Sequence, residues 1–227
     1  GKPRLKHVKV LDNVKKAAPG SNHTLVLRND GSLWATGGND MGQLANGTTT
    51  HLKKFTKVMV GGADVEAGHG STMIIKNDRS LWAVGYNGDN GLLGLGEKDF
   101  KVTTLRKVMD DVARVSINNV GSFVIKNDGS LWAAGTNYNG ALGLDKKEYV
   151  RVHRKVVDSV RSAFAGPGYA MIIKNDGSLW AAGENLNGQL GNGKGGYGEI
   201  NFGFQKVMDD SVEHVVCGSD FSAVLKT

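Results

Sequence analysis

The sequence predicts an all-β fold, a β-propeller of four-stranded repeats, and three observations carry that prediction. The nine residues NDGSLWAAG occur verbatim at 127–135 and 175–183, with near copies NDGSLWATG at 29–37 and NDRSLWAVG at 77–85. Their tryptophans, Trp34, Trp82, Trp132 and Trp180, are spaced 48, 50 and 48 residues apart. A Lys-Val dipeptide repeats in lockstep, with its valines at Val10, Val58, Val108, Val156 and Val207. Four short strands recurring with a period of about 40–50 residues are the signature of propeller blades.

Each unit contains four strand-like runs. KVMDDV supplies one strand and a turn, and VARV or VEAG supplies a second. SFVIK, TMIIK, TLVLR or AMIIK supplies a third, and SLWAAG a fourth. Apolar runs of this length bounded by Asn, Asp and Gly are strand signals. The Asn-Asp-Gly between the third and fourth strands is a hairpin turn whose glycine accepts positive φ. Arg79 holds that glycine slot in the second unit, a misfit expected to cost about 1 kcal/mol. The Trp rings, on strands of small neighbours, are expected to pack between adjacent sheets.

This gives a single propeller domain with units at about 12–59, 60–109, 110–157 and 158–208. Lys-Val halves number five and Trp halves four, so the last unit stops at its third strand. Five blades are expected, with residues 209–227 and an N-terminal strand at 7–11 sharing an incomplete closing blade. The alternative is an open arc cut from a longer array.

Composition bounds the function. Hydrophobic residues make up 40% and charged residues 22%, the balance of a folded, core-forming chain. The 33 glycines against 3 prolines suit many tight turns. No run of about 18 apolar residues is present, so no membrane-spanning helix is expected. The net charge of +6 sits mostly in residues 1–20, which hold six Lys or Arg and one acid. The excess is therefore a basic N-terminal segment, and nucleic acid is disfavoured as a partner. Cys217 is the only cysteine and occupies a slot filled elsewhere by Ala67 and Ala165, as a small buried filler would.

After each Trp the chain reads G-x-N-x-x-G-x-L, as GGNDMGQL (37–44), GTNYNGAL (135–142) and GENLNGQL (183–190). The second unit has one extra residue, GYNGDNGLLG (85–94). With SLWAxG and the upstream V-x-x-V-x-A-G, this pattern resembles the regulator of chromosome condensation repeat family over essentially the whole chain. Its flavour is similar to bacterial members, which implies a secreted or surface binding module. The eukaryotic founder of the family is a seven-bladed exchange factor for a small GTPase that also binds chromatin. Its exchange loop has no recognisable counterpart here, so none of its functional residues is carried over.

No reaction chemistry is legible. The six histidines show no metal-ligand spacing, and GDNGLLGLGEKD (88–99) lacks the alternating carboxylates of a calcium loop. GNGKGGYG (191–198) is no phosphate loop, and no G-x-S-x-G is present. The acids after each Lys-Val, Asp12, Asp110–Asp111, Asp158 and Asp209–Asp210, suit turns. The expectation is a non-enzyme that needs no cofactor and no metal.

A partner is expected on loops carried by the rigid sheets. Positions the repeat leaves free include the slot before the third strand: His23, Ser71, Gly121, Tyr169 and Phe221. Tyr169, Phe221 and His69 are the favoured anchors, with His23 beside them, because exposed aromatics anchor interfaces. A second group follows the G-x-N motif, where Tyr86, Tyr138 and Leu186 are expected to form an exposed patch and the repeating asparagines to hold the turn. The runs HLKKFTK, KVTTLRK and KKEYVRVHRK place Lys53, Lys54, Arg106, Lys107, Arg151 and Arg154 on a basic rim. The leading expectation is a protein partner, with a glycan as its alternative. The rivals are a small-GTPase exchange factor or effector adaptor, and a nucleic-acid binder working through the basic rim.

Overall fold

The structure, a computed structural model, describes residues 8–96, 98–118 and 120–227. No helix occurs among them. The first sheet runs β1 (Val14–Pro19), β2 (His23–Arg28), β3 (Leu33–Gly37) and β4 (Leu52–Met59). The second runs β5 (Gly62–Ala67), β6 (Ser71–Lys76), β7 (Leu81–Tyr86) and β8 (Lys101–Met109). The third has β9 (Val112–Ile117), β10 (Gly121–Lys126), β11 (Leu131–Thr136) and β12 (Tyr149–Val157). The fourth has β13 (Val160–Gly166), β14 (Tyr169–Lys174), β15 (Leu179–Glu184) and β16 (Ile200–Met208), and β17 (Val212–Cys217) pairs β18 (Ser222–Lys226) as a two-stranded fifth. Each strand is antiparallel to the next in sequence, so every sheet is a simple meander. The Lys-Val strand closes the sheet of the Trp strand before it.

Burial explains the sequence texture. The second strands, such as STMIIK and YAMIIK, are buried on both faces and so read as continuous apolar runs. The outer strands are half exposed and carry the lysines. The core lies between successive sheets. Leu25, Leu27 and Leu33 of the first meet Val65 and Ile74 of the second. Met73, Ile75 and Leu81 then meet Val112, Val115 and Val124. Phe123, Ile125 and Leu131 meet Val160 and Ile172, and Tyr169, Met171 and Leu179 meet Val212 and Val215. Trp132 packs on the junction of the second and third sheets, and Trp180 on that of the third and fourth.

The repeated phrase encodes a hydrogen-bond chain. Asp30, Asp78, Asp128 and Asp176 each accept from the hydroxyl of the serine two residues on, at 2.6 Å. Those serines accept in turn from Nε1 of Trp34, Trp82, Trp132 and Trp180, at 2.8–3.0 Å. The serine hydroxyls hold the four carboxyls below their usual range. The turn residue between Asp and Ser also ties one sheet to the next. The carbonyls of Gly31, Arg79, Gly129 and Gly177 accept from the backbone of Gly62, Val112, Val160 and Val212 at 2.9–3.2 Å. Its φ is 76, 64, 81 and 83°, so Arg79 adopts the conformation its glycine counterparts adopt freely.

Among the described residues the sheets do not close into a ring. Residues 8–11 form no strand, Val8 and Val10 are exposed, and His7 lies outside the described residues. The expected shared closing blade is thus corrected to a two-stranded sheet. The N-terminal segment is tied to its own sheet instead: Lys9 pairs with Asp12 at 2.5 Å, and Arg28 Nε donates to the Asp12 carbonyl at 3.0 Å.

Candidate functional site

The registers place all seven expected anchors at one end of the sheets. His23 opposes Gly37, so the β1–β2 turn and the loop after β3 leave from the same edge. Ser71 opposes Gly85, Gly121 opposes Gly135, and Tyr169 opposes Gly183. One face therefore collects the inner turns and the long loops. The other face holds the Asn-Asp-Gly turns and the sheet-to-sheet connections.

The long loops are built on the motif asparagine. Asn39, Asn87, Asn137 and Asn185 are fully buried. Their Oδ1 atoms accept from the backbone of Leu44, Leu93, Leu142 and Leu190 at 2.9–3.0 Å. Asn137 Nδ2 donates to the carbonyls of Leu144 and Lys146, both at 2.7 Å. The next motif glycine lets the loop lie against the following outer strand. A Cβ on Gly42 would stand 2.7 Å from Thr103 Cα, and one on Gly140 2.6 Å from the Asn201 carbonyl. Hydroxyls of the following sheet lock the loop: Thr72 donates to the Gln43 carbonyl at 2.7 Å, Ser122 to Leu92 at 2.6 Å, and Ser222 to Gln189 at 2.8 Å. The face of long loops is thus cross-braced to the sheets.

Two expected anchors are not on the surface. His23 is 3% exposed and Tyr169 0%. The slot before the second strand of a sheet faces the following sheet, which covers it. The Tyr169 hydroxyl donates to the Phe221 carbonyl at 2.6 Å, and burial pushes its pKa up. His23 Nε2 meets Thr72 Oγ1 at 3.3 Å, and burial lowers the pKa of the ring to about 4. His153, against Ser122 Oγ at 3.0 Å, is likewise lowered to about 4 by burial. Phe221 has no full sheet over it and is 61% exposed.

The remaining anchors fall into two clusters. His69 and Tyr86 line a cleft of about 340 Å³ with Asn22, Asp40 and Met41, between the first and second sheets. Tyr86 packs edge-on against Phe100 at 5.0 Å. On the third sheet, exposed Tyr138 packs at a tilt of 56° against exposed Tyr149 at 4.9 Å, and the Arg151 guanidinium lies 5.5 Å from the Tyr149 ring. Leu186 occupies the equivalent loop of the fourth sheet and is half exposed. Tyr149 opens β12 within a run that reads in the sequence only for its charge, and Phe100 precedes β8 outside any repeated motif.

The basic rim is only partly free. Lys107 pairs with Asp110, Lys155 with Asp158 and Lys206 with Asp209, each at 2.8–2.9 Å. Arg154 pairs with Glu148 at 2.6 Å, and Arg151 donates to the Asp89 carbonyl at 2.8 Å. Lys53 and Lys54 are exposed along β4, and Arg106, exposed on β8, is engaged by a neighbour. The Asp turns therefore neutralise Lys107, Lys155 and Lys206 at the ends of the outer strands. Cys217 is half buried, Sγ lies 3.8 Å from the Phe164 carbonyl, and burial pushes the thiol up to about 11.

Successive sheets around a central cavity, the four complete ones each contributing one turn and one long loop to a common face, define a propeller-type fold. The first unit, residues 14–43, matches the family model described as "Regulator of chromosome condensation (RCC1) repeat". Among solved structures, human WBSCR16 is similar with a TM-score of 0.81 and 21% identity, covering 99% of this chain and 61% of that one. Yeast RCC1 (Prp20), in its complex with Kap60, gives 0.82 at 18% identity, covering 98% and 56%. Prp20p from Saccharomyces cerevisiae, studied for its binding to Gsp1p and histones, gives 0.82 at 18% identity, covering 98% and 58%. No curated protein sequence matches. The chain spans about three fifths of the length of these structures. At such identity they show the fold alone, and being human and yeast proteins they lend no support to a bacterial flavour.

Proposed function

We propose that this chain is a non-catalytic binding scaffold that takes a protein partner on the face of inner turns and long loops. The observation that carries the reading is the exposed Tyr138–Tyr149 pair, with the Arg151 guanidinium beside it and Leu186 on the neighbouring loop. Aromatic and arginine side chains held rigidly at a surface are the residues from which interface hot spots are made. The loops beneath them are pinned by buried asparagines, so little ordering entropy is lost on binding.

A second reading, a GTPase-directed exchange factor or adaptor, draws support from the likeness to Prp20p, whose recorded binding includes Gsp1p. It carries no residue assignment. A nucleic-acid role would rest on Lys53 and Lys54, and is weakened by the pairing of other outer-strand cations.

Affinity capture with the purified chain, followed by mass spectrometry, tests the scaffold reading. A stoichiometric protein should be retained by the parent chain and by Lys53→Ala/Lys54→Ala, and lost with Tyr138→Ala/Tyr149→Ala. Retention by the aromatic double variant refutes the proposed face. Stimulated nucleotide release from a small GTPase at catalytic amounts of the chain would install the second reading.

A further inference from the structure

The five inner strands share one irregularity. Each carries a bulge after its first residue, between Val14 and Lys16, Gly62 and Asp64, Val112 and Arg114, Val160 and Ser162, and Val212 and His214. A bulge re-aims the side chain that follows it. The five residues after the bulges pair with Leu27, Ile75, Ile125, Ile173 and Leu225, so they stand at one level. All five line a central cavity of about 470 Å³, which sequence reading left unassigned.

This level is chemically asymmetric. On one side Lys16 donates to Asp64 at 2.8 Å and to Glu66 at 2.5 Å, so two carboxylates share one ammonium and leave a net negative charge. Burial pushes the Glu66 carboxyl up, as expected where two acids compete for one cation. On the other side stand Arg114, Ser162 and His214. Arg28, Arg151, Arg154 and Arg161 each donate to an acceptor within the chain. Among the described residues the Arg114 guanidinium has no such acceptor. The wall beside it is apolar, with Phe123, Phe164 and Val215, and Phe164 stacks edge-on with His214 at 5.2 Å.

We propose that this channel binds a small organic monocarboxylate, its carboxylate on Arg114 with Ser162 and His214 and its apolar body against Phe164. The guanidinium fork matches a carboxylate in bidentate geometry. The volume lies within the range of about 300–1,000 Å³ found for small-molecule pockets, and Arg114 and His214 are exposed to solvent, where a ligand can reach them. The net negative charge of the Lys16–Asp64–Glu66 group opposes any second negative charge on the ligand. The site therefore discriminates against polyphosphates, and it is independent of the rim surface proposed for the protein partner.

The test is titration of benzoate, phenylacetate and cyclohexanecarboxylate into the full chain, followed by NMR, with benzamide and inositol hexakisphosphate as comparators. At least one monocarboxylate should bind saturably and shift the Arg114 and Ser162 resonances. Benzamide should bind about tenfold or more weaker, because it lacks the charge that the guanidinium pairs. Arg114→Gln should weaken the monocarboxylate by a similar factor with the thermal midpoint unchanged, and Tyr138→Ala, out on the rim, should leave it unaltered. No shift from any of the three at about 10 mM, equal binding of benzamide, or preference for the polyphosphate overturns the proposal. A carboxylate that binds equally to Arg114→Gln overturns it too.

Discussion

Replacing Arg79 by glycine should stabilise this protein, although arginine is the larger residue and glycine the more flexible. Arg79 sits at φ 64°, where an L-residue other than glycine costs about 1–2 kcal/mol. Its side chain is exposed and engages no partner among the described residues, so little is lost with it. Its backbone keeps both duties in the variant: the amide donates to Lys76 and the carbonyl accepts from Val112. Against the relief stands the greater freedom of glycine in the unfolded chain, about 0.4–1 kcal/mol. The balance is a gain of about 0.5–1 kcal/mol. In a chain of 227 residues that is about 1–4 °C in Tm. The reverse changes calibrate the scale. Gly129→Ala has no atom nearer than 3.7 Å to the added carbon, so only its φ of 81° is penalised. Gly177→Ala also brings Cβ to 3.2 Å from Ser211 N and should cost more. Urea melts, with hydrogen exchange at the Val112 amide as a local probe, measure all three. If Arg79→Gly unfolds more readily than the parent, the turn is not strained and the reasoning fails.

Three further outcomes are expected. Stability should fall as pH drops, because His23 and His153 have folded pKa values near 4 against an ordinary 6.5. Each contributes roughly 3 kcal/mol that is fully present above pH 6.5 and lost progressively down to about pH 4; a flat stability profile across that window refutes their neutral burial. Asn137→Ala should cost about 2–4 kcal/mol, because it strips partners from one buried amide and two carbonyls, and limited proteolysis should then cut within residues 138–148. Ser130→Ala removes the acceptor of Trp132 Nε1, should cost about 1 kcal/mol, and should shift the tryptophan emission relative to the parent.

The strands were readable because each fills one layer with one pattern: continuous apolar runs in strands buried on both faces, lysines on the outer ones. The Asn-Asp-Gly turns and the Arg79 misfit were readable because they depend on neighbours in sequence. The binding face was read less well, and His23 and Tyr169 show why. Variation between repeats reads, in the sequence alone, as freedom from constraint. In fact each side chain at that slot is matched to a different cover: His23 folds over Gly20 and meets Thr72, while Tyr169 folds over Gly166 and reaches the Phe221 carbonyl. Such matching is pairwise across sheets, and no single segment displays it. The level of Lys16, Asp64, Arg114, Ser162 and His214 was hidden for a related reason. It exists only once five bulges are aligned around a common cavity.

The carbonyl that each hairpin turn lends to the next sheet has a mechanical consequence. Every sheet is fastened by backbone bonds to its neighbour in sequence, at intervals of about one unit. Under tension applied at the two termini the load passes through these fastenings in series, and they should yield one after another. A chain held in an optical trap should therefore lengthen in steps, each releasing about 50 residues, or roughly 170 Å of contour at about 3.4 Å per residue. The junction at Arg79, strained at the very residue that carries the fastening, is the one expected to give first.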